Sequence, residues 1–145
     1  MARGTEIVII GGGIVGLSIA YHLAARGCHD VCVLERGQIG QGATAKATGG
    51  IRQQFSREIN IRLSQESLKR FERFEEEMGC SADFRQVGYL FLASSGEDWA
   101  WLQEAAALQR RLGVPVELLT PDEAGGLVPG LRTDDLLGAT FCGTD

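Results

Sequence analysis

EIVIIGGGIVGLSIAYHLAARGCHDVCVLER, residues 6–36, is the stretch whose reading decides the fold. Ile7, Val8, Ile9 and Ile10 are apolar without alternation, the pattern of a strand covered on both faces. A Gly-rich turn follows, and then helical periodicity from about Ile14 to Arg26, with Gly16, Ala20, Leu23 and Ala24 in one stripe. Gly27 stands where a helix ends in the left-handed region. Val31 to Leu34 reads as a second strand apolar on both faces. Strand, helix and strand within so short a span make one right-handed βαβ crossover with parallel strands.

The turn carries Gly11, Gly13 and Gly16 in the spacing GxGxxG. In a chain with 20 glycines that spacing alone is weak. Its context makes it specific: it leaves a strand, opens a helix, and is answered by Glu35 at the end of the next strand. Gly11 permits the tight turn, Gly13 lets the backbone approach a pyrophosphate, and Gly16 lets helix and strand pack closely. The helix start offers free N–H groups and a positive dipole end to the phosphates. Glu35 is expected to accept hydrogen bonds from ribose hydroxyls. The candidate contacts here are Gly11, Gly12, Gly13, Ile14, Val15 and Gly16, with Glu35 and Arg36. Glu35 disfavours a 2′-phosphate and Arg36 offsets that, so this segment leaves FAD and NAD(P) both open.

Gln38 to Gly50 holds four glycines, three alanines and two threonines. Directly behind a strand, and carrying Ile39, it reads as a ligand-facing loop rather than a linker. Arg57 to Met78 has helical periodicity through Leu68, Phe71, Phe74 or Glu75, and Met78, with Gly79 as the stop. Val87 to Ala93 is a strand by composition. Ser95 with Asp98 caps a helix ending near Gly113, Val114 to Leu119 is a short strand, and Thr120, Pro121 and Glu123 start a helix that must stop before Pro129. Leu136 to Cys142 is a further strand candidate.

Gly42-Ala43-Thr44-Ala45-Lys46-Ala47-Thr48-Gly49-Gly50-Ile51-Arg52 resembles the second flavin-binding segment of the D-amino-acid-oxidase-like flavoproteins. That superfamily includes glycine oxidase, sarcosine oxidase and dehydrogenase, and dimethylglycine dehydrogenase. Gly49 to Ser56 looks like the sarcosine-dehydrogenase-like members in particular. Gly88-Tyr89-Leu90 is similar to the strand that opens the family's substrate domain, and Pro121 to Glu123, Leu127, Pro129 and Ala139-Thr140-Phe141 follow its pattern. The resemblance implies FAD as cofactor, with Gly42, Ala43, Thr44, Lys46, Thr48, Gly49, Gly50, Ile51 and Arg52 added to its contacts. It implies an α/β fold: a Rossmann-like FAD-binding βαβ unit over 1–84 and the start of an α+β substrate domain over 85–145. Family members are more than twice this length, so the expectation is an N-terminal portion, an incomplete fold whose isolated form is inactive. The implied reaction oxidises a C–H bond alpha to the nitrogen of an amine or N-methyl amino acid, with a hydride equivalent passing to flavin and the imine hydrolysing. Lys46 and Arg52 are the cations available to reduced flavin or to phosphate.

A net charge of −5 argues against sequence-independent nucleic-acid binding. No apolar run is long enough for a transmembrane helix, and with a strand pattern starting by Glu6 no secretory signal is expected. Cys28, Cys32, Cys80 and Cys142 form no CxxC pair; reduced, structural cysteines in a cytoplasmic protein, with no metal, are expected. His22 and His29 read as surface residues, and no side chain is singled out as a catalytic base. Two other readings remain open: an NAD-linked dehydrogenase, and a non-catalytic product that self-associates or docks on a partner chain through an exposed sheet edge.

Overall fold

The computed structural model describes residues 4–145. They form two compact units, one ending at Gly50 and the other spanning Ile51–Asp145.

In the first unit, β1 (Ile7–Ile10) pairs in parallel with β2 (Val31–Leu34), Ile7 opposite Val31 and Ile10 opposite Leu34. Helix α1 (Ile14–Ala25) makes the crossover. It ends on Gly27, at φ +86°, whose N–H donates to the Ala24 carbonyl while that of Cys28 donates to Leu23, a Schellman closure. Thr5 and Glu6 fasten the entrance by donating to the Asp30 carboxylate. The expectation of strands buried on both faces is corrected. Ile9 faces Gly16 of α1, but Val8 is 50% and Ile10 89% exposed. Successive side chains leave a strand on opposite faces, and this unit has a helix for only one of them.

The second unit is α+β. Its antiparallel sheet has the order β3-β5-β4, from β3 (Tyr89–Ala93), β4 (Glu117–Leu119) and β5 (Gly138–Cys142). Tyr89 lies opposite Cys142, and Glu117 opposite Phe141. The last strand in sequence is thus the central one, and Ala139, Thr140 and Cys142 are buried on it. Ile61, Val114 and Cys142 form the core, with Phe55, Leu108 and Leu112 against them.

Helix α4 (Gly96–Arg111) starts where expected, with the Ser95 hydroxyl accepting from the Asp98 N–H. Helix α5 (Pro121–Leu127) has a complete capping box between Thr120 and Glu123. Three expectations are adjusted. The single helix over 57–78 is two, α2 (Glu58–Glu72) and α3 (Phe74–Met78), broken at Arg73, whose φ of −104° and ψ of 5° lie outside the helical region. The periodicity hides the break because Phe71 and Phe74 still stack across it, at 6.5 Å between ring centres. β3 starts at Tyr89 rather than Val87, because Gly88 takes φ +84°. β4 starts at Glu117 rather than Val114: Pro115 has no N–H, and Val116 donates to the Val114 carbonyl instead of to a neighbouring strand.

Candidate dinucleotide site

The site is built from the turn between β1 and α1 and from the chain that follows β2. Gly11 sits at φ +108°, a conformation a side chain would strain, and its N–H donates to the Leu34 carbonyl at 2.8 Å. A β-carbon on Gly16 would stand 2.0 Å from the Gly11 carbonyl oxygen and 3.3 Å from the Ile9 side chain. Helix and strand therefore approach to a distance that only glycine allows. Gly13 is the N-cap of α1 and has no side chain to satisfy the first-turn amides. Ile14 and Val15 open the helix and are exposed. The N–H groups of Val15 and Gly16 have no acceptor among the described residues, so donors at a positive helix end remain for an anion.

Glu35 follows β2 directly. Its Oε2 accepts from the Gly12 N–H at 2.8 Å and its Oε1 from the Gly37 N–H at 2.9 Å. The Gly12 bond above all, then that of Gly37 and the neighbouring Arg36 charge, hold the carboxyl below its ordinary value of 4.5. Two bonds occupy only part of its acceptor capacity, so lone pairs remain for hydroxyl donors. Arg36 is exposed.

The second loop returns to the turn. The Gly40 N–H donates to the Gly12 carbonyl, and the Ala45 N–H donates to Gly40. The Thr44 hydroxyl, in a short 3-10 turn (Thr44–Lys46) entered from Ala43, accepts from the Ile14 N–H at 3.0 Å. A β-carbon on Gly13 would stand 3.0 Å from that hydroxyl. The fold thus gathers Gly11 to Gly16, Glu35 and Thr44. Gly42, Lys46, Thr48, Gly49 and Gly50 lie exposed along the same loop, and no hydrogen bond joins any of them to the turn among the described residues. Gly37, Ile39 and Gly40 also belong to the cradle. Ile39 and Gly40 lie in the loop read from the sequence as ligand-facing, without being singled out as contacts, whereas Gly37 falls just before that loop.

Ile51 and Arg52 belong to the second unit. The Arg52 guanidinium lies over three rings, 4.8 Å from the centre of Phe55, 5.2 Å from Phe91 and 5.6 Å from Tyr89. Tyr89 and Phe91 are two apart on β3, and so share its face.

The glycine-only approach of α1, its free first-turn amides and the carboxylate at the end of β2 fit a dinucleotide. The family model for FAD dependent oxidoreductases, DAO, matches residues 6–145. L-proline dehydrogenase from P. horikoshii superposes with a TM-score of 0.90 at 41% identity, over 100% of this chain and 38% of that one. Rat (Rattus norvegicus) mitochondrial dimethylglycine dehydrogenase is 34% identical over 94% of this chain and 16% of its own length. The mitochondrial pyruvate dehydrogenase phosphatase regulatory subunit of Mus musculus is 29% identical over 97% of this chain and 16% of its own. The chain spans well under half the length of each of these relatives. It belongs to the DAO family of FAD-dependent oxidoreductases.

Proposed function

We propose that this chain binds FAD as part of an oxidoreductase that oxidises an amine or N-methyl amino acid. The observation that carries the reading is the Gly12–Glu35–Thr44 cradle around the start of α1, reinforced by the dehydrogenase relatives. In this proposal Gly11, Gly12, Gly13, Ile14, Val15 and Gly16 hold the pyrophosphate, and Glu35 accepts from ribose with Arg36 beside it. Gly42, Ala43, Thr44, Lys46, Thr48, Gly49, Gly50, Ile51 and Arg52 complete the cofactor contacts. Bound flavin supplies the acceptor for a hydride equivalent from the C–H bond alpha to nitrogen. The protein's share is position and charge, and Arg52 offers an organised cation to an anionic group. Residues 1–84 would then serve the cofactor and 85–145 begin the substrate portion. Four free cysteines support a reducing compartment.

The test is a titration of the protein with FAD, NAD and NADP, followed by flavin and tryptophan fluorescence. Saturable FAD binding without nicotinamide nucleotide binding is expected; the reverse preference would restore the NAD-linked reading. A second reading is a non-catalytic subunit, favoured by the likeness to a protein named as a regulatory subunit. Stable hetero-association without flavin would support it.

A further inference from the structure

We propose that Asp145 is a positioning residue for Arg52: its buried carboxylate, occupied by the amides of residues 53 and 54, keeps the Arg52 guanidinium on its three-ring platform and uncommitted to any protein carboxylate. The inference rests on the reading of Arg52 as a cation that serves the cofactor.

The observations come from both ends of the second unit. Arg52 forms no ion pair and no side-chain hydrogen bond among the described residues, although it is partly buried against three rings. A guanidinium carries five N–H donors, and the ring faces hold its plane without using those donors up. Asp145 is 4% exposed, and a carboxylate so buried needs hydrogen bonds to offset lost hydration. It takes them from neutral donors. Oδ1 accepts from the Gln53 backbone N–H at 2.7 Å and from Gln53 Nε2 at 3.3 Å, and Oδ2 accepts from Gln54 Nε2 at 3.1 Å. The first of these bonds pins the residue that directly follows Arg52.

The network then reaches the platform itself. Gln54 Nε2 also donates to the Tyr89 carbonyl at 2.7 Å, and Gln54 Oε1 accepts from the Thr140 hydroxyl at 2.9 Å. Tyr89 is one of the three rings, and Thr140 lies on the central strand. The Asp145 carbonyl accepts from the Gly88 N–H, at the foot of β3. Asp145 and Gln54 therefore brace the segment bearing the cation against the strand bearing two of its rings. Gln53 and Gln54 are both buried, and the amide N–H groups of both side chains find acceptors: Gln53 Nε2 donates to Thr144 and Asp145, and Gln54 Nε2 to Tyr89 and Asp145.

Two readouts test this. Ring currents from three aromatic rings shift the Arg52 Nε–H resonance, which R52K identifies by its loss. In D145A, with far-UV circular dichroism and the β3–β5 amide contacts unchanged, that resonance should move to the position of an exposed arginine. FAD affinity should fall about tenfold or more in R52A, in D145A and in the double variant alike, since one charge-assisted bond of this size is lost once. An unmoved resonance in folded D145A, or losses that add in the double variant, would overturn the proposal. If D145A fails to fold, D145N and T140V replace it. Each perturbs one bond of the network with little change of volume, and an Arg52 resonance unmoved in both overturns the positioning role. The resonance is read without ligand, so a wild-type protein that binds no FAD refutes the functional proposal and leaves the positioning role to be decided separately.

Discussion

At the scale of single residues, Gly16 and Glu35 carry the sharpest expectations. A methyl group at Gly16 cannot be placed without moving the Gly11 carbonyl, since the two would be 2.0 Å apart. Gly16→Ala should therefore cost at least about 1–3 kcal/mol, the usual range for an overpacked site. Faster amide exchange at Gly11 and in β2 would report it, and wild-type protection would contradict it. Glu35→Ala should weaken FAD binding by about tenfold or more, as expected for lost charge-assisted hydrogen bonds; an unchanged titration would remove Glu35 from the site. The pH dependence has a definite sign. The Gly12 and Gly37 bonds lower the Glu35 value in the folded state, so their stabilisation is complete above the ordinary 4.5 and is lost as pH falls through the folded value. The Gly12 and Gly37 amide shifts should then titrate together, with a midpoint below 4.5. A midpoint at or above it would mean that these bonds do not form in solution.

At the scale of elements, local chemistry explains most boundaries. The seven-residue α5 is too short to stand on helix propensity, and its start depends on Thr120 and Glu123. Thr120→Ala should destabilise the second unit by about 0.5–2 kcal/mol, read as a lower urea midpoint at unchanged slope. No change in midpoint would show that burial of Ala124 alone holds the helix. The elements legible in the sequence were those with such signals: the Gly27 closure, the Ser95 and Thr120 caps, and the apolar runs of β1 and β2. The break at Arg73 was not legible, because Phe71 and Phe74 keep helical spacing across it. Neither was the late start of β4, where Val114 and Val116 look like strand residues but are buried as core instead.

At the scale of the whole molecule, the exposed apolar residues of the first unit matter most. Val8, Ile10 and Leu34 lie on a two-stranded sheet, and Ile14, Val15 and Ile19 on its helix. Apolar surface of this kind drives association. The 145-residue chain should self-associate in sedimentation experiments at micromolar concentration, and Ile10→Lys should reduce that association; a monomer throughout would contradict this. Because the chain spans 16% of the dimethylglycine dehydrogenase it resembles, we further expect these 145 residues alone to show no turnover of sarcosine. Measured turnover by the monomeric chain would refute that expectation.

What the sequence determined by itself rests on neighbours along the chain: the βαβ order, the glycine turn, the caps and the position of Glu35 directly behind β2. These follow from steric limits and hydrogen bonds reaching a few residues, and from one crossover whose hand is set by strand twist. Tertiary structure decided the rest. Only folding shows that β5 lies between β3 and β4, that Arg52 rests on rings from residues 55, 89 and 91, and that Gln53 and Gln54 are buried against Asp145. Those partners lie as far as 92 residues apart, and no periodicity within a strand or helix encodes which distant segment will satisfy a polar group. The same reason left the β1 face misjudged. An apolar run states that a strand can be covered on both sides, while the elements packed around it determine which side is.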